Sequence, residues 1–336
     1  MINIKKIKAF VFRIINFNNV HDGENYITVR GLAEGTSYNI IYHDNRRRDF
    51  TNDIKKLLEE YERSMSVYDP DSVISRINRN ENIQADKYFI EVFRKAKEIS
   101  SLTNGYFDMS AEPLFKAWGF SFSKKEKLND DDINRLRQYI GMDKISLKGK
   151  RIIKSDPNVV LNGNAIAKGY STDIVAGFLE RKGVINYLVE IGGEIRAKGK
   201  NSMAETWRIG IDKPTDGNHI PGQDMQVVLQ LTDKSIATSG NYRQYYTDEN
   251  GQKISHTINP KTGYPVSHNL LSTTVIADDT IIADAMATAF MVMGVEKAMD
   301  YAEKLRNIDA LFIYDEIGEY KIAYTSGMNR YIVEIM

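Results

Sequence analysis

The chain contains no cysteine among its 336 residues. Disulfide bonds, thiolate metal sites and cysteine nucleophiles are therefore excluded. A surplus of charge of either sign is also missing, because Lys+Arg and Asp+Glu each number 45. Nucleic acids and anionic membranes attract proteins with a basic surplus, so the composition gives no general argument for either partner.

Long apolar runs are missing as well, and no segment approaches the length needed to cross a bilayer. Near the start, Lys5, Lys6 and Lys8 precede AFVFRIINF, which is the order of a signal peptide. Arg13 interrupts that apolar stretch, and no small-residue cleavage site follows it. We therefore treat residues 1–23 as a poorly specified N-terminal segment, either a targeting remnant or a frayed start.

Helical and extended patterns are mixed, which favours an α+β fold with mixed or antiparallel sheets and flanking helices. No linker rich in Pro, Gly or Ser divides the chain, so we predict a single domain over 24–336, with a bilobed shape left open. Thr51 or Asn52 is the predicted cap of the first helix, and Ser72 caps the short helix VISRIN. Strands are predicted at 26–42 (a hairpin), 186–191, 207–212, 225–232, 271–277, 310–315 and 319–324, and helices at 51–66, 86–103, 130–139, 171–182, 280–292 and 295–306.

The segment IIADAMATAF places Asp284 and Thr288 four residues apart. On a helix these positions share one face, so a carboxylate and a hydroxyl point the same way. Two hard oxygen ligands on adjacent turns suit Mg²⁺, which leaves its other positions to water and phosphates. Such pairs are also common on ordinary solvated helix faces, so the pair alone does not decide between the two interpretations.

Two other segments carry candidate chemistry. In HTINPKTGYP, Pro260, Gly263 and Pro265 make a stiff loop that can hold the imidazole of His256 in place for acid–base catalysis. In NGNAIAKGYSTD, small residues precede a helix whose N-terminus, with Lys168, is suited to phosphate. A rigid hairpin loop and a tightly packed helix start are the alternative interpretations.

Strand ends and aromatic residues add weaker signals. EIGGEIRAKG and SIATSGNY each expose backbone and hydroxyl groups after an apolar strand, which suits contact with a polar cofactor but also fits ordinary turns. GYFDMSAEPLFKAWGF combines carboxylates with large aromatic residues, and such aromatic clusters are more often core than stacking platforms.

Taken in order, these blocks resemble the FAD:protein FMN transferases, the ApbE-type flavin transferases. The resemblance runs from about Tyr26 to the C-terminus and includes SMSVYDPDSVISRIN, GYFDMSAEPLFKAWGF, NGNAIAKGYSTD, LVEIGGEIRAKG, SIATSGNY, HTINPKTGYP and ADAMATAF. It implies a Mg²⁺-dependent reaction in which the FMN half of FAD is moved onto a threonine hydroxyl of an acceptor flavoprotein and AMP leaves.

The resemblance also assigns residues. It implies a metal held by Asp284, Thr288 and the carbonyl of Ala165. We add His256 as the candidate base, with Asp284 and Lys168 as the other catalytic residues. The implied FAD site comprises Met65, Tyr68, Ala111, Glu112, Pro113, Trp118, Asn164, Ala165, Lys168, Gly192, Gly193, Glu194, Thr238, Ser239, Gly240, His256 and Thr262.

The chain departs from the family pattern at two acidic positions. Many relatives have Asp-Leu-Gly-Gly where this chain has Asn162-Gly163-Asn164-Ala165, and Asp where it has Asn259. Many relatives are exported lipoproteins with an N-terminal cysteine, which this chain lacks. The resemblance still implies the cell envelope as the expected location, with the cytoplasm as the alternative.

Three functions stay open once the resemblance is accepted. They are transfer of FMN to a protein, hydrolysis of FAD to FMN and AMP on the same site, and non-catalytic FAD binding. The acceptor expected from the resemblance carries a short Ser/Thr- and Ala-containing segment and belongs to a membrane redox complex.

Overall fold

The computed structural model describes residues 25–121, 128–215, 222, 224–241, 245–247 and 253–336. The N-terminal segment 1–23 therefore lies outside the described residues. The α-helices are α1 (Thr51–Met65), α2 (Val73–Asn78), α3 (Lys87–Leu102), α4 (Glu112–Ala117), α5 (Asp130–Arg137), α6 (Ala167–Arg181), α7 (Thr280–Met293) and α8 (Val295–Ala302). The strands of the first half are β1 (Tyr26–Ala33), β2 (Thr36–His43), β3 (Ile145–Lys148), β4 (Arg151–Lys154), β5 (Tyr187–Ile191) and β6 (Glu194–Lys198). Those of the second half are β7 (Trp207–Asp212), β8 (Met225–Leu231), β9 (Lys234–Gly240), β10 (Tyr245–Thr247), β11 (Lys253–Ser255), β12 (Leu270–Ala277), β13 (Asp309–Glu316), β14 (Glu319–Tyr324) and β15 (Ile332–Ile335).

An eight-stranded sheet forms the centre, in the order β1-β2-β5-β6-β9-β12-β13-β14. All seven neighbouring pairs in it are antiparallel. A smaller sheet has the order β15-β8-β7, and β3-β4 and β10-β11 form separate hairpins. The described strands and helices confirm the α+β prediction.

The central sheet has helices on one face and the smaller sheet on the other. Alternation along the strands produces this division, because successive side chains point to opposite faces. On β13, Ala310 and Phe312 join the core formed with α3 and α7. Leu311 and Ile313, which alternate with them, pack with Trp207 and other residues of the smaller sheet. A third apolar cluster lies between α1, α6 and the strands β1, β2 and β5.

The boundaries of α1, α3 and α7 agree with the predicted ranges within about two residues, whereas α6 begins four residues before its predicted start and α8 ends four residues before its predicted end. Ser72 caps α2 as predicted, and its hydroxyl accepts from the N–H of Ser75 at 3.2 Å. The predicted capping of α1 by Thr51 or Asn52 is wrong. Phe50 is the N-cap residue and its side chain makes no cap bond, while Asp49 binds both the N–H and the hydroxyl of Thr51. Within the described residues, no helix combines the length and apolar character needed to cross a membrane.

Candidate functional site

Helix α7 carries the predicted metal-binding pair on its buried side. Asp284 is 4% exposed, and Thr288 lies one turn further along the same face. The hydroxyls of Thr288 and Ser239 are 3.3 Å apart, so the end of β9 meets α7 at this point. The structure therefore brings together three of the predicted site residues from two distant segments.

The first turn of α6 binds the carboxylate of Asp284. Gly169 is the third residue of α6, so its N–H has no carbonyl partner inside the helix. That N–H donates to Asp284 Oδ2 at 2.9 Å. A Cβ on Gly169 would lie 2.5 Å from the carbonyl oxygen of Thr280 and 2.8 Å from Asp284 Cβ, so only glycine allows the two helices to cross this closely.

Lys168 is paired with Glu194 beside this crossing. Its Nζ lies 2.5 Å from Glu194 Oε1, and the Glu194 side chain is 4% exposed. Burial disfavours the ammonium, but the carboxylates of Glu194 and Asp284 outweigh it and raise the pKa of Lys168. For Asp284 the effect of burial is the opposite, and it raises the pKa of the carboxyl group, although Lys168 and the Gly169 N–H oppose this shift. One lysine thus stands between two buried carboxyl groups.

Two more carboxyl groups lie near this pair. Burial raises the pKa of Glu34 to about 8, although the Ser171 hydroxyl and Lys168 oppose the shift. Burial also raises the pKa of Glu190 to about 8, against a hydrogen bond from the Gly193 N–H. Among the described residues, the buried oxygens Glu34 Oε1, Glu190 Oε2 and Glu194 Oε2 have no hydrogen-bond partner. Unpaired buried oxygens of this kind mark a place suited to a polar ligand or to water.

A second group of predicted residues gathers around α4 and the loop after β11. Glu112 accepts from Asn162 Nδ2 at 2.6 Å and from the Ser121 hydroxyl at 2.7 Å. Trp118 Nε1 donates to the carbonyl of Gly263 at 2.9 Å, which ties α4 to the predicted stiff loop. This group is polar at Glu112 and aromatic at Trp118.

His256 lies at the base of that loop. Its ring centroid is 6.4 Å from the Phe120 ring, at an angle of 70°. The loop itself is stiffened by bonds between Asn259 and its neighbours: the N–H of Gly263 donates to the Asn259 carbonyl at 2.8 Å. The loop is therefore stiff, as both interpretations of the segment expect, and the role of His256 stays a prediction.

The departures from the family pattern have a physical explanation here. Because Asn162 donates its amide to the carboxylate of Glu112, an aspartate at this position would place two acceptors against each other. Asn259 Oδ1 accepts from the N–H of Lys261 at 2.9 Å, a turn that an aspartate could form equally well. Neither asparagine therefore breaks the local structure.

Two glycines lie against other predicted site residues. A Cβ on Gly163 would lie 2.7 Å from Met65 Cε, so Met65 packs directly on the small-residue run. A Cβ on Gly192 would lie 3.0 Å from Lys168 Cδ, which places the predicted glycine turn beside the lysine.

The remaining predicted residues are less clearly assembled. Tyr68 is 67% exposed, and the Oγ1 of Thr262 accepts from the N–H of Tyr264 within its own turn. Thr238 Oγ1 lies 2.8 Å from Thr274 Oγ1, so its hydroxyl is engaged within the sheet. No contact decides the roles of Ala111, Pro113, Asn164, Gly193 and Gly240, which stay predictions.

The predicted donor set for a cation is one carboxylate, one hydroxyl and one backbone carbonyl. Within the described ranges, no three His, Asp or Glu side chains converge as a metal-ligand group. Asp284 and Thr288 share a face, and the carbonyl of Ala165 lies just before α6, with the amide four residues on engaged by Asp284. These oxygen donors fit a small hard cation such as Mg²⁺, with water and phosphate completing its shell.

Sequence reasoning missed several residues of this site. Glu34 lies in the turn between β1 and β2 at φ 52, a conformation that the Gly-containing turn pattern signalled but did not assign to the site. Gly169 and Asp173 were part of the NGNAIAKGYSTD block without being singled out. A glycine in the first turn of a predicted helix was the available signal for a close approach.

The fold and this site define an α+β protein in which a half-buried lysine and buried carboxyl groups meet at a helix crossing. The ApbE family matches residues 34–312. A Haemophilus influenzae relative named FAD:protein FMN transferase is 36% identical over 293 residues, covering 83% of this chain and 84% of the relative. A Vibrio cholerae relative of the same name is 35% identical over 286 residues, covering 82% and 84%.

Solved structures agree with the sequence matches. The flavin transferase ApbE from Vibrio cholerae superposes with a TM-score of 0.79 at 33% identity, covering 91% of this chain and 99% of that one. The apo flavinyl transferase ApbE from Pseudomonas stutzeri gives 0.81 at 29% identity, covering 90% and 96%. The chain belongs to the ApbE family, and it is an enzyme of the transferase class.

Proposed function

We propose that this chain transfers the FMN part of FAD to a threonine hydroxyl of an acceptor flavoprotein and releases AMP. The names of the relatives support FAD as the donor and a protein as the acceptor. The observation that carries the proposal is the α6–α7 crossing, where Asp284 is fixed by the Gly169 N–H with Thr288 on the same helix face. A carboxylate, a hydroxyl and a lysine beside a helix N-terminus form a site for a diphosphate.

Asp284, Thr288 and the carbonyl of Ala165 would hold Mg²⁺ in this proposal. When bound, the ion supplies Lewis-acid polarisation of a phosphate oxygen and orients the diphosphate. Support comes from the oxygen-only donor set and from the fixed orientation of the Asp284 carboxylate.

The residues of the chain supply the rest of the reaction. The threonine oxygen attacks the FMN phosphorus, a P–O bond forms, and the P–O bond to AMP breaks. His256 takes the hydroxyl proton, because a neutral imidazole is a base near physiological pH. Lys168, held by Glu194, and the N-terminus of α6 offset negative charge on the diphosphate as AMP leaves. The group around Glu112 and Trp118 would position the flavin or the adenosine end.

The acceptor and its location extend the proposal. We propose an acceptor with a Ser/Thr- and Ala-containing segment in a membrane redox complex, and a site of action in the cell envelope. Both rest on the family resemblance, and action in the cytoplasm is the alternative.

A single reaction mixture tests the proposal. The protein is combined with FAD, Mg²⁺ and an acceptor flavoprotein carrying such a segment, and the acceptor is analysed by mass spectrometry. We expect the mass of FMN on a threonine, with one AMP released per modification. The His256→Ala variant should bind FAD and lose transfer, whereas retained transfer would exclude His256 as the base.

The other outcomes separate the alternative functions. Free FMN and AMP without modified acceptor would mean hydrolysis, with water in place of threonine. Tight FAD binding with no release of AMP, whether or not the acceptor is present, would mean a carrier protein and would end the proposal.

A further inference from the structure

Helices α6 and α7 both begin without a cap of their own. The N-cap residue of α6 is Ile166, and that of α7 is Asp279, whose side chain makes no cap bond. The first N–H groups of a helix have no partner inside it, so these two buried helix starts need acceptors from elsewhere.

Each helix obtains its acceptor from the other. Asp284 of α7 accepts from Gly169 N–H in the first turn of α6 at 2.9 Å. Asp173 of α6 accepts from the N–H groups of Thr280 and Ile281 in the first turn of α7, at 3.0 and 2.9 Å. Each carboxylate also lies at the positive end of a helix dipole, which favours its charged form. The two helices are therefore capped reciprocally, and the position of one first turn determines the other.

Arg196 connects the reciprocal caps of α6 and α7 to the central sheet. Its Nη1 lies 2.7 Å from Asp173 Oδ1 and 2.9 Å from Asp279 Oδ1. Burial raises the pKa of Asp173, and Arg196 with the two α7 amides opposes this shift. Because Arg196 projects from β6, the first turn of α7 is held by the sheet as well as by α6.

We propose that Asp173 is a positioning residue for the metal site, acting through α7. Among the described residues, its bonds go to Arg196, Thr280 and Ile281, none of which is a predicted metal ligand. By fixing the first turn of α7, Asp173 determines the position of the Asp284 carboxylate one turn further on. It thereby sets the position of that carboxylate relative to the carbonyl of Ala165, the other predicted ligand from the α6 side. The inference rests on the proposed function, since it concerns the same metal site.

Asp173→Asn is the variant of choice because it keeps the size of the side chain. With its amide oxygen in the place of Oδ1 it can still accept from Thr280 N–H and from Arg196, but its NH₂ group then faces the N–H of Ile281, donor against donor. Asp86→Asn is the matched control. Asp86 caps α3 by accepting from Phe89 N–H and from the Ser64 hydroxyl, both at 2.8 Å, and neither bond involves α6 or α7.

The readout is Mn²⁺ binding in the presence of FAD, followed by electron paramagnetic resonance, with hydrogen exchange of the peptide covering 279–285. For Asp173→Asn we expect the half-saturating Mn²⁺ concentration to rise about 10-fold, the scale on which groups supporting metal ligands act. Exchange in that peptide should be faster, and excess metal should restore most of the transfer rate. Asp86→Asn should change none of these, although its melting temperature should also fall.

An equal loss of melting temperature in both variants, with unchanged Mn²⁺ affinity for Asp173→Asn, would overturn the inference and leave an ordinary helix cap. If Asp173→Asn does not fold, Arg196→Lys tests the same link, since lysine cannot reproduce the two-partner contact. We expect a smaller rise in half-saturating Mn²⁺, and an unchanged affinity in that folded variant would also overturn the inference. Failure of the proposed function is distinct: the wild type itself would bind no Mn²⁺, or Asp284→Ala would bind it equally well.

Discussion

The two faces of strand β6 contrast in how they are buried. Ile195 and Ala197 face the smaller sheet and belong to an apolar cluster with Trp207. Glu194, Arg196 and Lys198 face α6 and form ion pairs with Lys168, Asp173 and Glu180, respectively. Exposure of these three side chains increases along the strand, from 4% to 24% to 40%.

The two faces of β6 therefore contribute differently: the apolar face stabilises the fold, and the charged face belongs to the candidate site. Apolar burial on one face stabilises the fold by about 25 cal/mol per Å². On the other face, each buried charge needs a partner to offset the loss of its hydration, and an ion pair there is weak as a source of stability. Glu194, the least exposed charged side chain of the row, lies at the candidate site with its partner Lys168, so we interpret buried charge here as functional.

The largest expected effect is on the charged side. Asp284→Ala should lower metal-dependent transfer by about 1,000-fold or more, because it removes the only charged group of the proposed metal site. Transfer is measured as FMN bound to the acceptor over a series of Mg²⁺ concentrations. Glu180→Ala, at the exposed end of the same row, should leave the rate within about 2-fold. Mg²⁺-dependent transfer that survives in Asp284→Ala would refute the metal assignment.

The next effect should be on stability, on the apolar side. The chain has two tryptophans. Trp207 lies on β7 of the smaller sheet and is 3% exposed, packed against the central sheet. Trp207→Ala should lower the free energy of unfolding by about 3–5 kcal/mol, measured by urea denaturation, with unchanged KM for FAD. Trp118→Ala is the counterpart on the site side. It should affect stability less and transfer more, because it frees the Gly263 loop. If the two variants behaved alike, the contrast between the faces would fail.

A smaller effect is expected where the two helices cross. Gly169→Ala places a methyl group against the backbone of Thr280, so α6 and α7 must separate. We expect a loss of about 1–3 kcal/mol in unfolding free energy, together with weaker metal dependence of transfer. Gly177→Ala, on the same helix, is the control, since its Cβ would meet only the flexible end of Arg181. Equal behaviour of the two variants would show that the close crossing is not needed.

The smallest effect concerns pH. Burial raises the pKa of Glu190 to about 8, from an ordinary value of 4.5, so the folded state holds this proton more tightly than the unfolded state. Stability from this group is full below about pH 4.5 and is lost as the pH rises through about 8. Glu194 and Lys168 are the charged neighbours that modulate it.

Glu190→Gln keeps an acceptor for the Gly193 N–H and removes the titration. Urea denaturation between pH 5 and 8 should therefore show a shallower loss of stability with rising pH than in the wild type. The same slope in both proteins would mean that other groups, such as Glu34, account for the pH dependence.

Local patterns predicted most of the fold. The helical spacing of α1, α3 and α7 and the apolar runs of the central strands gave boundaries that match within a few residues. The strands β3, β4, β6, β10, β11 and β15 and the helix α4 were not predicted, because segments of three to six residues show too little periodicity to be recognised. Strand β9 was indicated only by its end, in SIATSGNY. Strand order was also beyond the sequence, since it depends on contacts between distant segments.

The site was predictable only in part, for the same reason. The spacing of Asp284 and Thr288 is a local feature, and it placed both on one helix face. The partners of Asp284 lie far away in sequence: Gly169 is separated from it by 115 positions. The acceptor role of Asp173 toward α7 depends on the same crossing, so no pattern within either segment could reveal it.

The order of the central sheet follows the order of the chain from β1 to β14, with every neighbour antiparallel. Consequently each of these site segments belongs to a connection between neighbouring strands of the sheet. Helix α6 lies between β2 and β5, the His256 loop lies between β9 and β12, and α7 lies between β12 and β13. Lengthening or exchanging such a connection leaves the succession of paired strands intact. Substrate and partner preference can therefore diverge among descendants of this scaffold while its backbone framework is inherited unchanged.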